Sequence, residues 1–121
     1  DEVSFTKIEN VYFNADISIF ASSCETFGQI VLESMAAGLP IACSNMSSMP
    51  EILKNSAVLF DPLNVKDITN CLKKLIDSKG QRTFISSRAA EIAQDFSWKK
   101  TAFLTFEFFK EVSQQDELKR K

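Results

Sequence analysis

Apolar positions recur along this chain in two alternating rhythms. Ile8, Val11 and Tyr12 lie on one side of a short helix expected over Ile8–Asn14. Ile17-Ser18-Ile19-Phe20-Ala21 reads as a buried strand, with Ser22-Ser23-Cys24 as the loop at its end. Gly28 breaks the pattern before a helix from about Gln29 to Ala37, which Gly38 ends as a left-handed cap and Pro40 keeps from continuing. Ile41-Ala42-Cys43-Ser44 is a second strand, and Ser47-Ser48-Met49-Pro50-Glu51 is the start of a helix capped by serine. Ala57-Val58-Leu59-Phe60, closed by Asp61-Pro62, is a third strand.

The second half of the chain is helical. Ile68, Cys71, Leu72, Leu75 and Ile76 form the apolar face of an amphipathic helix that begins at Val65. Gln81 to Gln94 forms another, with Phe84, Ile85, Ala89 and Ile92 inward. Ser97 caps a last helix from Trp98 to about Gln114, whose apolar residues occupy more than one stripe and so predict partners on two sides. Strands alternating with helices define an α/β class with a Rossmann-like parallel sheet flanked by helices. The strands lack polar alternation, which fits a sheet covered on both faces. In such sheets ligands bind beyond the carboxyl ends of the strands, and the segment from Phe20 to Gly28 is such a place.

At 121 residues the chain is expected to be a single domain, 1–121. It begins at Asp1 without methionine, and a fragment of a longer protein is expected. A net charge of −2 carries no nucleic-acid footprint, and the basic clusters Lys73-Lys74, Lys99-Lys100 and Lys119-Arg120-Lys121 read as solvated faces and a charged tail. No apolar run reaches the ~18 residues needed to span a bilayer. Three cysteines without a paired spacing, and no histidine, argue against a zinc cluster and exclude Ser-His or Cys-His nucleophiles. Reduced thiols in a cytoplasmic protein are expected.

Candidate chemistry is concentrated between Glu25 and Glu33. A glycine at a loop-to-helix junction lets a ligand approach the backbone, and the free N–H groups of a first helical turn favour an anion. A diphosphate fits the amides of Phe27, Gly28, Gln29 and Ile30. Gln29 and Glu33 share one helix face, about one turn apart, and a carboxylate there can accept two hydrogen bonds from a ribose diol. Glu25, in the loop on the other side, can accept bonds from a sugar. Nine glutamates in the chain make such a pair unsurprising, however. By spacing alone, Glu33 reads equally as a solvated helix residue and Glu25 as a loop carboxylate near a helix start.

A longer string narrows the choice. Ala15-Asp16-Ile17 through Phe20-Ala21-Ser22 is followed by Glu25-Thr26-Phe27-Gly28 and by Leu32-Glu33-Ser34-Met35-Ala36-Ala37-Gly38-Leu39-Pro40-Ile41. Pro50-Glu51-Ile52, Leu59-Phe60-Asp61-Pro62 and Phe96-Ser97-Trp98 complete it. Together they resemble the C-terminal, donor-binding domain of family 4 retaining glycosyltransferases, enzymes with two Rossmann-like domains in the GT-B arrangement. The resemblance covers roughly residues 8 to 112. It implies that Glu25 contacts and orients the donor sugar, that the backbone at Phe27, Gly28, Gln29 and Ile30 holds sugar and diphosphate, and that Glu33 binds the ribose. It also implies retention of anomeric configuration without a bound metal; the chain has no Asp-x-Asp pattern.

The same resemblance places the acceptor-binding N-terminal domain, the nucleobase strand and the basic residues facing the leaving diphosphate outside this chain. The 121 residues alone are therefore expected to be catalytically inert, and their last helix to favour self-association. The implied reaction moves a hexose or N-acetylhexosamine from a nucleotide sugar, taken as UDP-linked, to a glycan or lipid-linked saccharide, as in bacterial surface polysaccharide assembly. The full-length protein is expected at the inner face of the membrane. The competing reading is a GT-B-like module that binds a nucleotide sugar without transferring it; a nucleotide-sugar epimerase of related fold fits the motif less well. Position 48 is Ser, where the family often has Gly, and the loop from Asn45 to Pro50 is assigned no role.

Overall fold

The computed structural model describes residues 3–119, so Asp1, Glu2, Arg120 and Lys121, including two members of the basic C-terminal run, lie outside the described residues. Three parallel strands, β1 (Ser18–Phe20), β2 (Ile41–Ser44) and β3 (Val58–Phe60), form one sheet in the order β1-β2-β3. Ser18 pairs with Ile41 and Phe20 with Cys43, and Ala42 pairs with Val58 and Ser44 with Phe60. The helices of the chain are α1 (Ile8–Phe13), α2 (Gln29–Ala36), α3 (Met49–Leu53), α4 (Val65–Asp77), α5 (Lys79–Ala93) and α6 (Trp98–Lys119).

β2 is central, and all four of its residues are buried. Side chains alternate across a strand. Ile41 and Cys43 therefore join Val31, Met35, Met49, Ile52 and Leu53 on one face, while Ala42 meets Phe60, Cys71 and Leu75 on the other. Both faces of β2 are covered, as its unbroken apolar run predicts. β1 is different: Ile19 is half exposed, so one face of this strand is partly open.

α5 supplies Ile85 to one cluster and Ala89 and Ile92 to the other, and packs on both α2 and α4. Its inward stripe is narrower than expected. Phe84 is 54% exposed, because it stands one position from Ile85 and therefore about 100° around the helix. Ile76, next to the buried Leu75 on α4, is turned out for the same reason.

Local side-chain bonds fix the helix ends. Asn64 Oδ1 accepts from the amides of Lys66 and Asp67 at 3.1 and 3.2 Å and starts α4. Ser78 ends α4 and caps α5 by accepting from the Gln81 amide at 3.2 Å, so α5 begins at Lys79 rather than at Gln81. Arg82 Nη1 donates to the Leu75 and Ile76 carbonyls, two of the acceptors a helix end leaves open. Gly38 has φ +69° and ends α2 as expected, and its carbonyl accepts from Ser86 Oγ on α5. Ser97 accepts from the Lys100 amide at 3.2 Å and starts α6, which runs on to Lys119, beyond the expected end near Gln114. No helix among the described residues is long and apolar enough to cross a membrane.

The expected serine cap of α3 does not form. Ser48 stands at the cap position in a helical conformation and makes no capping bond; its buried Oγ has no partner among the described residues. Ser47 takes a left-handed φ of 56° instead, and its hydroxyl turns toward another loop.

Candidate functional site

β1 ends at Phe20 and the chain crosses to α2 through Ala21–Gly28, at the carboxyl edge of the sheet. Gly28 is buried at φ +83°, a conformation that suits glycine, and it swings the chain into α2. The amides of Val31 and Leu32 both bond to the Gly28 carbonyl, at 3.0 and 3.3 Å. Among the described residues nothing accepts from the amides of Phe27, Gly28, Gln29 or Ile30. No side chain caps this helix start, and no acidic residue stands in its first turn. The positive end of α2 is thus neither bonded nor neutralised, which is the condition an anion needs there.

Glu33 lies one turn further along α2. Its Oε1 accepts from Gln29 Nε2 at 3.3 Å and its Oε2 from the Tyr12 hydroxyl at 2.7 Å. Gln29 thus reaches Glu33 with its side chain and offers its main-chain amide at the helix start. Burial first, and then the hydrogen bond and the charge of Glu33, push the Tyr12 hydroxyl well above its ordinary range. Glu33 and Ala36 together separate two hollows. One, of about 350 Å³, is walled by Phe27, Gln29, Phe96 and Trp98. The other, of about 320 Å³, is walled by Ile8, Tyr12 and Phe13. Phe27 and Phe96 meet edge to face with ring centroids 6.2 Å apart, tying the α2 start to the segment before α6. Ile30 is half exposed, and its carbonyl accepts from Ser34 Oγ at 3.0 Å.

Glu25 borders neither hollow. It lies half-buried in the loop before Gly28, and its amide donates to Ser47 Oγ at 3.2 Å, while Ser47 Oγ donates to the Ser23 carbonyl at 3.4 Å. The loop after β2, to which the sequence assigns no role, therefore holds the Glu25 loop. The structure brings Phe27, Gly28, Gln29, Ile30 and Glu33 together at one helix start and leaves Glu25 in the loop that precedes Gly28. Tyr12 and Ser47 had no signal in the sequence, because each reaches its partner across more than twenty residues.

A third depression, of about 540 Å³, runs along α4 and contains none of these residues. Lys73, Lys74, Asp67 and Asp77 mix both charges there. Among the described residues no group of three or more His, Cys, Asp or Glu could hold a metal ion.

A parallel sheet whose first strand leads into a glycine-led, uncapped helix start defines an α/β domain of Rossmann-like type with an anion-ready helix terminus. The profile described as glycosyl transferases group 1 matches residues 2–92, and the chain belongs to that family. It is 29% identical over 100 residues to the O-antigen chain mannosyltransferase B of Escherichia coli, covering 83% of this chain and 26% of that protein. It is 28% identical over 98 residues to a sulfoquinovosyl transferase of Arabidopsis thaliana, covering 77% of this chain and 19% of that protein. The chain thus spans about a quarter or less of the relatives it matches. In fold it is similar to the sucrose-phosphate synthase of Thermosynechococcus elongatus, with a TM-score of 0.78 at 18% identity, over 90% of this chain and 28% of that one. The fold is that of the C-terminal domain of a GT-B glycosyltransferase.

Proposed function

We propose that this chain is the donor-binding portion of a retaining, metal-independent glycosyltransferase. In this reading it holds a UDP-linked hexose or N-acetylhexosamine for transfer to a glycan or lipid-linked saccharide. The observation that carries the reading is the α2 start: four amides without partners, no cap, no acidic residue in the first turn, and the Glu33 carboxylate one turn beyond. The diphosphate accepts from the amides of Phe27, Gly28, Gln29 and Ile30. Glu33 accepts from the ribose diol, and Glu25 orients the sugar from the far side of Gly28. Hydrogen bonds to charged groups contribute about 1.5–3 kcal/mol each, enough to fix one orientation of a long ligand.

In such a reaction the bond from the anomeric carbon to the diphosphate breaks as the acceptor oxygen attacks on the face the diphosphate leaves. The departing phosphate takes the acceptor's proton. The protein's contribution is orientation, and amides aimed at the charge that grows on the leaving group. A hexose and a surface polysaccharide acceptor are favoured by the relative named for mannose transfer to O-antigen chains. Acceptor binding falls to residues outside this chain, so the chain by itself is expected to bind donor and transfer nothing. The full-length protein works in the cytoplasm at the inner face of the membrane.

Calorimetric titration of UDP, GDP and ADP tests the reading, with Glu33→Ala as the control. The expected result is millimolar or tighter binding of one nucleotide that Glu33→Ala abolishes. Binding indifferent to Glu33→Ala would sink the ribose assignment.

A further inference from the structure

Tyr12 precedes Glu33 by 21 residues, on a different helix, yet its hydroxyl donates to Glu33 Oε2 at 2.7 Å. Gln29 Nε2 donates to the other oxygen at 3.3 Å. An ionised carboxylate offers about four lone-pair sites. Two are taken here, and two remain, the number a vicinal diol needs. Glu33 has three side-chain torsions and is only half-buried, so its own helix leaves the carboxylate several orientations. A bond from a second element selects one.

We propose that Tyr12 is a positioning residue of the donor site, which holds the Glu33 carboxylate in the orientation that receives a ribose diol and thereby sets a preference for ribonucleotides. This rests on the reading of Glu33 as the ribose acceptor. Three features of the structure favour it over a role in stability. No residue of α1 is fully buried, and the half-buried Tyr12 belongs to neither core cluster. Glu33 stands between two hollows, one of them walled by Tyr12 itself, so the bond lies at the site. Burial and Glu33 both raise the pKa of the Tyr12 hydroxyl above its ordinary range, so it is a donor at neutral pH.

The test removes one oxygen, by Tyr12→Phe. UDP, GDP and ADP are each titrated against their 2′,3′-dideoxy counterparts into the chain and into the variant, with urea midpoints measured for both. The chain is expected to prefer one ribonucleotide over its dideoxy form. In Tyr12→Phe that preference is expected to fall about five- to tenfold, with dideoxy affinity changed less than about twofold. An undiminished preference in Tyr12→Phe would overturn the positioning role and leave the donor site standing. A parallel loss of dideoxy affinity, or a collapse of the fold, would make the hydroxyl structural and overturn it too. If the unmodified chain shows no preference for the diol with any base, the ribose assignment of Glu33 fails, and this inference fails with it.

Discussion

A β-carbon on Gly28 would lie 2.3 Å from Met49 Cε and 3.0 Å from Met49 Sδ. Met49 is fully buried, and Gly28 itself sits at φ +83°. Backbone conformation therefore favours glycine at the entry to α2, and any β-carbon there would have to displace the end of the buried Met49 side chain. The left-handed conformation costs a residue with a β-carbon about 1–2 kcal/mol, and forcing a methyl group into a filled core costs about 1–3 kcal/mol. Gly28→Ala is expected to lower the urea unfolding free energy by about 2–5 kcal/mol. Combining it with Met49→Ala should relieve the packing part only. The double variant should be more stable than the two separate losses add up to, by at least about 1 kcal/mol. Strict additivity would show that the two side chains do not meet.

Ser47 holds the Glu25 loop through one hydroxyl that bonds Glu25 N–H and the Ser23 carbonyl. Its partners are exposed, so Ser47→Ala should change stability by less than about 1 kcal/mol. The functional effect should fall on the sugar. Affinity for the nucleotide sugar is expected to drop several-fold, with affinity for the bare nucleoside diphosphate unchanged. Ser47→Gly suits the positive φ yet also lacks the hydroxyl, so it should be equally weak toward the sugar. Equal losses for sugar-bearing and bare nucleotide would disprove the division of labour.

Of the three free cysteines, Cys24 is exposed while Cys43 and Cys71 are buried. Burial pushes the Cys43 thiol up to about 12 from an ordinary 9.0, against a small opposing pull from a backbone bond at Ser44. A thiol reagent at pH 8 should therefore modify Cys24 alone until urea exposes the others. The same shift makes stability depend on pH. Unfolded Cys43 loses its proton near 9 and folded Cys43 near 12, so its contribution is intact below pH 9 and is lost as pH rises through that window. One proton gives a slope of about 1.4 kcal/mol per pH unit at most. Cys43→Ala should flatten the decline in unfolding free energy between pH 9 and 12. An unchanged slope would remove Cys43 as its source.

Trp98, Phe103, Phe106 and Phe109 on α6 are 82%, 62%, 67% and 59% exposed. An apolar surface of that extent favours association. Sedimentation velocity over the micromolar to millimolar range is expected to show the chain associating with itself. Phe103→Glu together with Phe106→Glu should shift it toward monomer. A chain that stays monomeric throughout would contradict this.

Much of the fold was legible because its signals are local. The apolar run Ile41–Cys43 requires a covered strand wherever it sits, and Gly38 ends a helix by its own backbone freedom. Gly28, Gln29 and Glu33 could be assigned to one helix start because helical geometry sets their spacing within a single segment. The errors lay where a neighbour decides. Phe84 and Ile76 were placed inward by periodicity, but each lies about 100° from the narrow stripe that α4 and α5 bury. Ser47 and Ser48 were read as caps, but the turn before α3 takes a left-handed residue and sends the Ser47 hydroxyl to another loop.

By itself, then, the sequence determined the alternation of strands and helices, and the helix that starts after Gly28 and carries Glu33 one turn along. Periodicity, caps and glycine conformations act within a few residues, and a sequence states them directly. Only the tertiary structure decided that Tyr12 meets Glu33, that Ser47 holds the Glu25 loop, and that the aromatic residues of α6 face outward. Those relationships join segments up to 24 residues apart or depend on what a face packs against, and the packing of the whole chain sets them.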